Sequence, residues 1–226
     1  MRPIPHPSPN FGDRRDGARP DLIVLHYTGM ASAAAALALL CDPVAEVSSH
    51  YVINTDGTVL ALVAEEKRAW HAGAGSWRGR GDVNSHSLGI ELVNTALHPF
   101  PEPQMAALEA LLAGMMGRWG IRPEGVIAHS DLAPTRKSDP GARFDWLRLA
   151  LAGLSVWPAP GQGDPAGFAA DARAFGYPAG IDDAVLLRAF RLRFRPWAAG
   201  PLDAQDAGAA ADLARRFGID RTGANA

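Results

Sequence analysis

The chain has 226 residues, 47% of them apolar, with 22 basic against 24 acidic side chains and a formal net charge of −2. That apolar content supports a packed core and excludes wholesale disorder, while the lack of a basic excess excludes an electrostatic grip on nucleic acid. A single cysteine, Cys41, excludes an intrachain disulfide and a thiolate metal cluster, so any metal must be held by His, Asp or Glu. The first twenty residues, rich in Pro, Gly, Asp and Arg, read as an irregular surface arm without the apolar stretch of a signal peptide. Residues 22–27 (LIVLHY) form a short buried strand ended near Gly29, and residues 32–40 an alanine-leucine helix capped by Ser32. The apolar run 31–41 is about half the length of a bilayer span, so no membrane crossing is expected.

Tyr51-Val52-Ile53 and Thr58-Val59-Leu60 flank Asp56-Gly57, a strong hairpin signal. In the strand from Leu88 to Val93, alternation puts Leu88, Ile90 and Leu92 on one face and Gly89 and Glu91 on the other. After Pro101 the spacing becomes helical, with Met105, Leu108, Leu111, Leu112, Met115 and Trp119 in one stripe ended at Gly120. Residues 125–129 form a third core strand, followed by a polar loop to Gly141 and a helix from about Asp145. Interleaved strands and helices give an α/β class with a central mixed sheet flanked by helices. Residues 157–165 have linker composition, and three helical patterns over 166–175, 182–194 and 203–217 suggest a small C-terminal helical bundle. The expected division is a catalytic domain of residues 1–156 and a helical module of residues 166–226.

His26 and His129 each stand at the C-terminal end of an expected strand, and Asp139 follows His129 by ten residues. Two imidazoles and one carboxylate are a donor set for catalytic zinc that leaves a fourth position open. Taken singly, a strand-end histidine is more often a hydrogen-bonded structural residue, and Glu91 an ordinary solvated strand residue.

The wording of successive segments decides between these readings. Val24-Leu25-His26-Tyr27-Thr28, Ser49-His50-Tyr51-Val52-Ile53, Trp70-His71-Ala72-Gly73, Ser87-Leu88-Gly89-Ile90-Glu91-Leu92 and Ala128-His129-Ser130-Asp131-Leu132-Ala133-Pro134 appear in order. Arg136-Lys137-Ser138-Asp139-Pro140-Gly141 follows. Over about residues 8–154 the chain resembles the type-2 N-acetylmuramoyl-L-alanine amidases, the zinc amidases of the phage T7 lysozyme and peptidoglycan-recognition-protein superfamily. The resemblance implies that His26, His129 and Asp139 hold zinc, that Glu91 is the proton-transfer carboxylate, and that Lys137 stabilises an oxyanion. It also places His50 and His71 around the substrate cleft, with Asn94 and Arg136 as contacts to peptide or sugar. The implied reaction cuts the amide between N-acetylmuramic acid, or its 1,6-anhydro form, and L-alanine. The implied partners are peptidoglycan fragments or glycan strands; a monomer is expected, cytoplasmic as the chain is given, or periplasmic if a leader has been removed. The alternative is a non-catalytic peptidoglycan receptor of the same fold. Leu187-Arg188-Ala189-Phe190-Arg191, with Phe194-Arg195-Pro196 and Asp203, is similar to small three-helix peptidoglycan-binding modules; a helical cap with a solvated arginine face explains it equally well.

Overall fold

The structure, a computed structural model, describes residues 2–219. Its strands are β1 (Ile4–Pro5), β2 (Phe11–Gly12), β3 (Leu22–Tyr27), β4 (Tyr51–Ile53), β5 (Val59–Ala61), β6 (Arg68–Ala69), β7 (Ser87–Leu92) and β8 (Val126–Ala128). Its α-helices are α1 (Ala33–Leu40), α2 (Val83–His86), α3 (Glu102–Trp119), α4 (His129–Leu132), α5 (Trp146–Leu151), α6 (Phe168–Phe175), α7 (Asp183–Phe194) and α8 (Ala204–Phe217). Six strands form one mixed sheet in the order β1-β5-β4-β7-β3-β8, and β2 pairs with β6 in a separate ribbon. No helix among the described residues is long and apolar enough to cross a membrane.

Local sequence chemistry accounts for most boundaries. Ser32 caps α1 by accepting from Ala35 N, Asp182 caps α7 and Asp203 caps α8. The helix α3 stops at Gly120, whose φ of 69° is the left-handed conformation that glycine adopts without a Cβ penalty. The Asp56-Gly57 turn joins β4 to β5 in antiparallel register, Ile53 opposite Val59. His129, expected as the last residue of a strand, is instead the first residue of the short α4, and the expected loop to Gly141 begins with that turn of helix. The N-terminal arm is less irregular than expected: β1 adds a parallel edge to β5, and Arg14 is drawn inward to the backbone oxygens of Ser85, Ser87 and Glu65.

Strand alternation divides the sheet into two chemically different faces. Ile23, Leu25, Tyr51, Ile53, Leu88, Ile90, Leu92, Val126 and Ala128 bury one face against Met105, Leu108, Leu112 and Met115 of α3. The opposite face has two covers. Near β4, Val52 and Val93 pack with Ala36 and Leu40 of α1. Near β8, Leu22, Val24 and Ile127 join Phe168, Phe175, Phe190, Phe194 and Leu213 of α6, α7 and α8. Between these covers, at the C-terminal ends of the central strands β3 and β7, a cleft remains, where open α/β sheets commonly place their ligands.

The C-terminal helices therefore share a core with the sheet, which corrects the expectation of a separate module over residues 166–226 (220–226 lie outside the described residues). The presumed linker 157–165 is packed as well. Ala159 N donates to Asp212, and Gly163 lies so close to Gly208 that a Cβ on Gly163 would sit 2.8 Å from the Gly208 nitrogen. Its glycines serve close approach rather than freedom. The two parts are also joined by a fully buried ion pair. Arg193 of α7 donates to Asp131 of α4 at 2.6 Å and to the Val126 carbonyl at 2.9 Å, with its guanidinium 4.5 Å from the Trp146 ring centre. Asp131 also accepts from Tyr177 OH and from Ala128 N, so its charge is compensated from both parts of the chain.

Removing one partner leaves a buried charge unpaired. Arg193→Met is expected to lower the unfolding free energy by about 3–5 kcal/mol in urea denaturation, and a chain ending at residue 160 to lose cooperative melting. A near-wild-type midpoint for Arg193→Met, or a cooperative melt of the short chain, contradicts the shared core.

Candidate metal centre and active-site cleft

Parallel pairing of β3 with β7 sets His26 directly beside Glu91, and Val24 beside Gly89. Because residues in register point to the same face, one backbone alignment delivers an imidazole and a carboxyl side by side into the cleft. β8, on the other side of β3, ends at Ala128, so α4 starts with His129 over the same opening. The loop after α4 returns Asp139, whose backbone oxygen accepts from Ser130 N at 3.0 Å.

Three donor atoms converge there. His26 Nδ1 lies 2.9 Å from His129 Nδ1 and 2.9 Å from Asp139 Oδ2, and His129 Nδ1 lies 3.0 Å from the same oxygen. All three residues are buried, and their arrangement suits a metal ion. The protons explain why. His129 Nε2 lies 3.0 Å from the Ala72 carbonyl, an acceptor only, so Nε2 carries the proton and Nδ1 is a bare lone pair. His26 Nε2 lies 3.0 Å from His71 Nδ1. Burial first, and the neighbouring His129 second, bring the His26 pKa down to about 4, so the ring is neutral at physiological pH. Asp139 Oδ2 faces both Nδ1 nitrogens and brings the carboxylate charge to the triangle. A small triangle of lone pairs and one negative charge is matched by a cation. Its 2.9–3.0 Å edges approach the roughly 3.3 Å between donor atoms of a tetrahedral zinc site.

The cleft around this triangle measures about 410 Å³ and is lined by His26, Glu91, His129, Lys137 and Asp139, with Tyr27, Thr28, Trp70 and Ser138 on its walls. A larger cavity of about 770 Å³ among residues of α6 and α7 includes no imidazole among its lining residues, so the chemistry belongs to the smaller one. Glu91 Oε2 is buried and has no hydrogen-bond partner. Burial, and then repulsion by Asp139, push the Glu91 pKa up to about 8, while Lys137 pulls it down. Lys137 is exposed on the rim. Arg136 also lines the cleft, but its guanidinium is anchored on the backbone oxygens of Ala72 and Ala74. Gly73, between those residues, has φ of 59°, and a Cβ there would sit 3.0 Å from an Arg136 nitrogen.

Two expected cleft residues lie elsewhere. His50 is fully buried: its Nδ1 accepts from Gly89 N at 2.9 Å and its Nε2 donates to the Lys67 carbonyl at 3.1 Å. It is a structural histidine joining β4 to β7. Asn94 closes its own turn, accepting from Ala96 N and donating to the His98 carbonyl. His71 does line the cleft, but both its ring nitrogens are engaged, by His26 and by Ser87 Oγ at 3.2 Å. Burial, then His26 and His50, hold its pKa well below the ordinary value. Sequence reading missed Tyr27, Thr28, Trp70 and Ser138 as cleft walls. Their signal was adjacency to His26, His71 and Asp139.

Comparison with known proteins gives a consistent result. The sequence profile of the N-acetylmuramoyl-L-alanine amidase family matches residues 16–142. The N-acetylmuramoyl-L-alanine amidase AmiD of Escherichia coli is 39% identical over 153 residues, 61% of this chain and 54% of AmiD, so the match spans about half of that relative's length. The 1,6-anhydro-N-acetylmuramyl-L-alanine amidase AmpD of Enterobacter cloacae is 34% identical over 63% of this chain and 86% of its own. The structure of Escherichia coli AmiD with anhydro-N-acetylmuramic acid-L-Ala-D-gamma-Glu-L-Lys superposes with a TM-score of 0.82 at 33% identity, covering 89% of this chain and 91% of that one.

The His50 geometry sets a pH dependence. Burial, the largest influence, lowers its pKa to about 4 from an ordinary 6.5. Between those values the unfolded chain binds the proton and the folded chain does not, so stability falls as pH falls through that window. His50→Asn keeps an acceptor for Gly89 N and removes the titration. Across pH 7 to 4 the variant is expected to lose less stability than the wild type, by up to about 3 kcal/mol, in urea melts. Parallel stability profiles for the two proteins contradict it.

Proposed function

This chain belongs to the N-acetylmuramoyl-L-alanine amidase family, and from that premise we propose that it is a zinc-dependent amidase. Its reaction is hydrolysis of the amide joining the lactyl group of N-acetylmuramic acid, free as the 1,6-anhydro sugar or within the glycan, to L-alanine. The observation that carries this reading is the convergence of His26 Nδ1, His129 Nδ1 and Asp139 Oδ2 within 3.0 Å of one another, next to Glu91 in one cleft. A non-catalytic receptor has no need of a complete donor set beside a carboxyl whose buried Oε2 has no hydrogen-bond partner.

His26, His129 and Asp139 would hold zinc, leaving a fourth position toward the cleft. When bound, zinc supplies Lewis acidity, polarising the scissile carbonyl and making water a better nucleophile at neutral pH. The proton traffic falls to Glu91. A carboxyl with a pKa near neutrality is suited to both halves of an amide hydrolysis: it takes a proton from the attacking water and returns one to the departing alanine nitrogen. Positive charge in the donor triangle favours its ionised form, opposing the desolvation that raises its pKa. No hydrogen bond ties Glu91 Oε2, so it is free to reach substrate. Lys137, on the rim of the same cleft, adds positive charge beside the carbonyl oxygen as it becomes an oxyanion. Arg136, anchored on the same rim, contacts the peptide or the sugar.

One zinc per chain is expected by elemental analysis, and His26→Ala, His129→Ala and Asp139→Ala are each expected to lower its affinity sharply while helical and sheet signals persist. A fully active metal-free preparation contradicts the metal reading. Glu91→Gln is expected to retain zinc while turnover of anhydro-muropeptide, followed by mass spectrometry, falls by roughly 10²–10⁴-fold. Lys137→Ala should also retain zinc and lose roughly 10²–10³-fold. Near-wild-type turnover by zinc-loaded Glu91→Gln removes Glu91 from the proton path.

A further inference from the structure

We propose that His71 is a positioning residue that selects which nitrogen of His26 faces the metal. The inference rests on the metal reading of the His26, His129 and Asp139 triangle, and it follows from the direction of three hydrogen bonds. The Ser87 hydroxyl donates to the Val83 carbonyl at 2.6 Å. Its proton is thereby committed, so toward His71 Nε2, 3.2 Å away, it can only accept. His71 Nε2 therefore carries a proton, and in a neutral imidazole the other nitrogen is then an acceptor. That nitrogen, Nδ1, lies 3.0 Å from His26 Nε2, which must donate to it. With Nε2 protonated, His26 Nδ1 presents a lone pair to Asp139 and His129. The series Val83 carbonyl, Ser87, His71, His26 has a single consistent proton direction, and it ends on the donor atom of the metal site.

The ring of His71 is held for this task. Its own N–H and that of Ala72 both donate to Asn84 Oδ1, at 3.1 and 2.8 Å. The ring lies against Gly89 on β7, where an added Cβ would come within 2.5 Å of His71 Cγ. The His26 and His71 rings meet edge to face, 5.1 Å apart at 82°. Position 89 is thus the place where a backbone without a side chain lets a second imidazole lie beneath the first. In the free residue the two neutral tautomers of His26 interconvert readily; here one is chosen before the ion arrives, so less free energy is spent on reorganisation when it binds.

The test compares full-length His71→Leu and His71→Asn with the wild type. The two side chains are of similar size, and only Asn keeps an acceptor near the place of Nδ1. Zinc affinity is read by competition with a chromophoric chelator, and the His26 tautomer by ¹⁵N NMR of the metal-free protein. His71→Leu is expected to weaken zinc binding by roughly 10–100-fold, the usual cost of losing a partner of a metal-bound histidine, and to leave His26 as a mixture of tautomers. His71→Asn is expected to stay within about threefold of wild type, with His26 protonated at Nε2. Should His71→Leu fail to fold, Ser87→Ala removes the acceptor that orients His71, and a smaller loss of affinity with a mixed His26 tautomer is expected. Equal affinity and unchanged tautomer across the variants overturn the proposal, as does equal loss in Leu and Asn, which marks packing alone. Raised KM with unchanged affinity makes His71 a substrate contact instead. Wild-type protein that binds no zinc overturns the metal reading itself, an outcome separate from equal binding by the variants.

Discussion

Everything at the site depends on one alignment, the parallel register of β3 against β7 that places His26 beside Glu91 and Val24 beside Gly89. A slip of one residue would turn the functional side chain of whichever strand shifted, His26 or Glu91, into the apolar layer beneath α3, because side chains alternate with a period of two. The register is held from both sides: Ile23, Leu25, Leu88, Ile90 and Leu92 fill that apolar layer, and His50, just before β4, accepts the Gly89 amide on its side chain. The metal donors and the proton-transfer carboxyl inherit their spacing from a packed sheet rather than from a loop.

The second donor, His129, is set by different forces. It begins a helix of a single turn, too short to persist unaided. Its support is Asp131, which ties α4 back to the end of β8 through Ala128 N and outward to Arg193 and Tyr177. The C-terminal helices thus act on the site through a buried charge pair two residues from a metal donor. They also supply the apolar cover over Leu22, Val24 and Ile127 that closes one wall of the opening. Their contribution is to hold the cleft in place, a role that does not require them to touch substrate.

Much of this was legible in the sequence, and the parts that were not share a cause. The alternation of residues 88–92 placed Glu91 opposite the core face, the Ser32 cap and the Asp-Gly turn located α1 and the hairpin, and helical spacing located the longer helices. Pairing His26 with His129 and Asp139 across 103 and 113 residues was beyond local patterning; only the order of family-like segments brought them together. His50 and His71 looked alike as motif histidines, yet one is sealed between β4 and β7 and the other lies behind a metal donor, a distinction made by which atoms face them. The linker reading failed because Pro and Gly report backbone shape: Gly163 is there to approach Gly208, which only the packed structure reveals. Asn94, read as a substrate contact, was an Asx-type turn residue, an assignment its own sequence context also permitted.

The central claim is that two imidazoles and one carboxylate, and not the neighbouring histidines, hold the metal. X-ray absorption at the zinc edge of the loaded protein addresses it directly, since multiple scattering counts imidazoles. The account predicts two imidazole nitrogens together with oxygen donors at about 2.0–2.2 Å. A first shell with three imidazoles, or with only one, contradicts it.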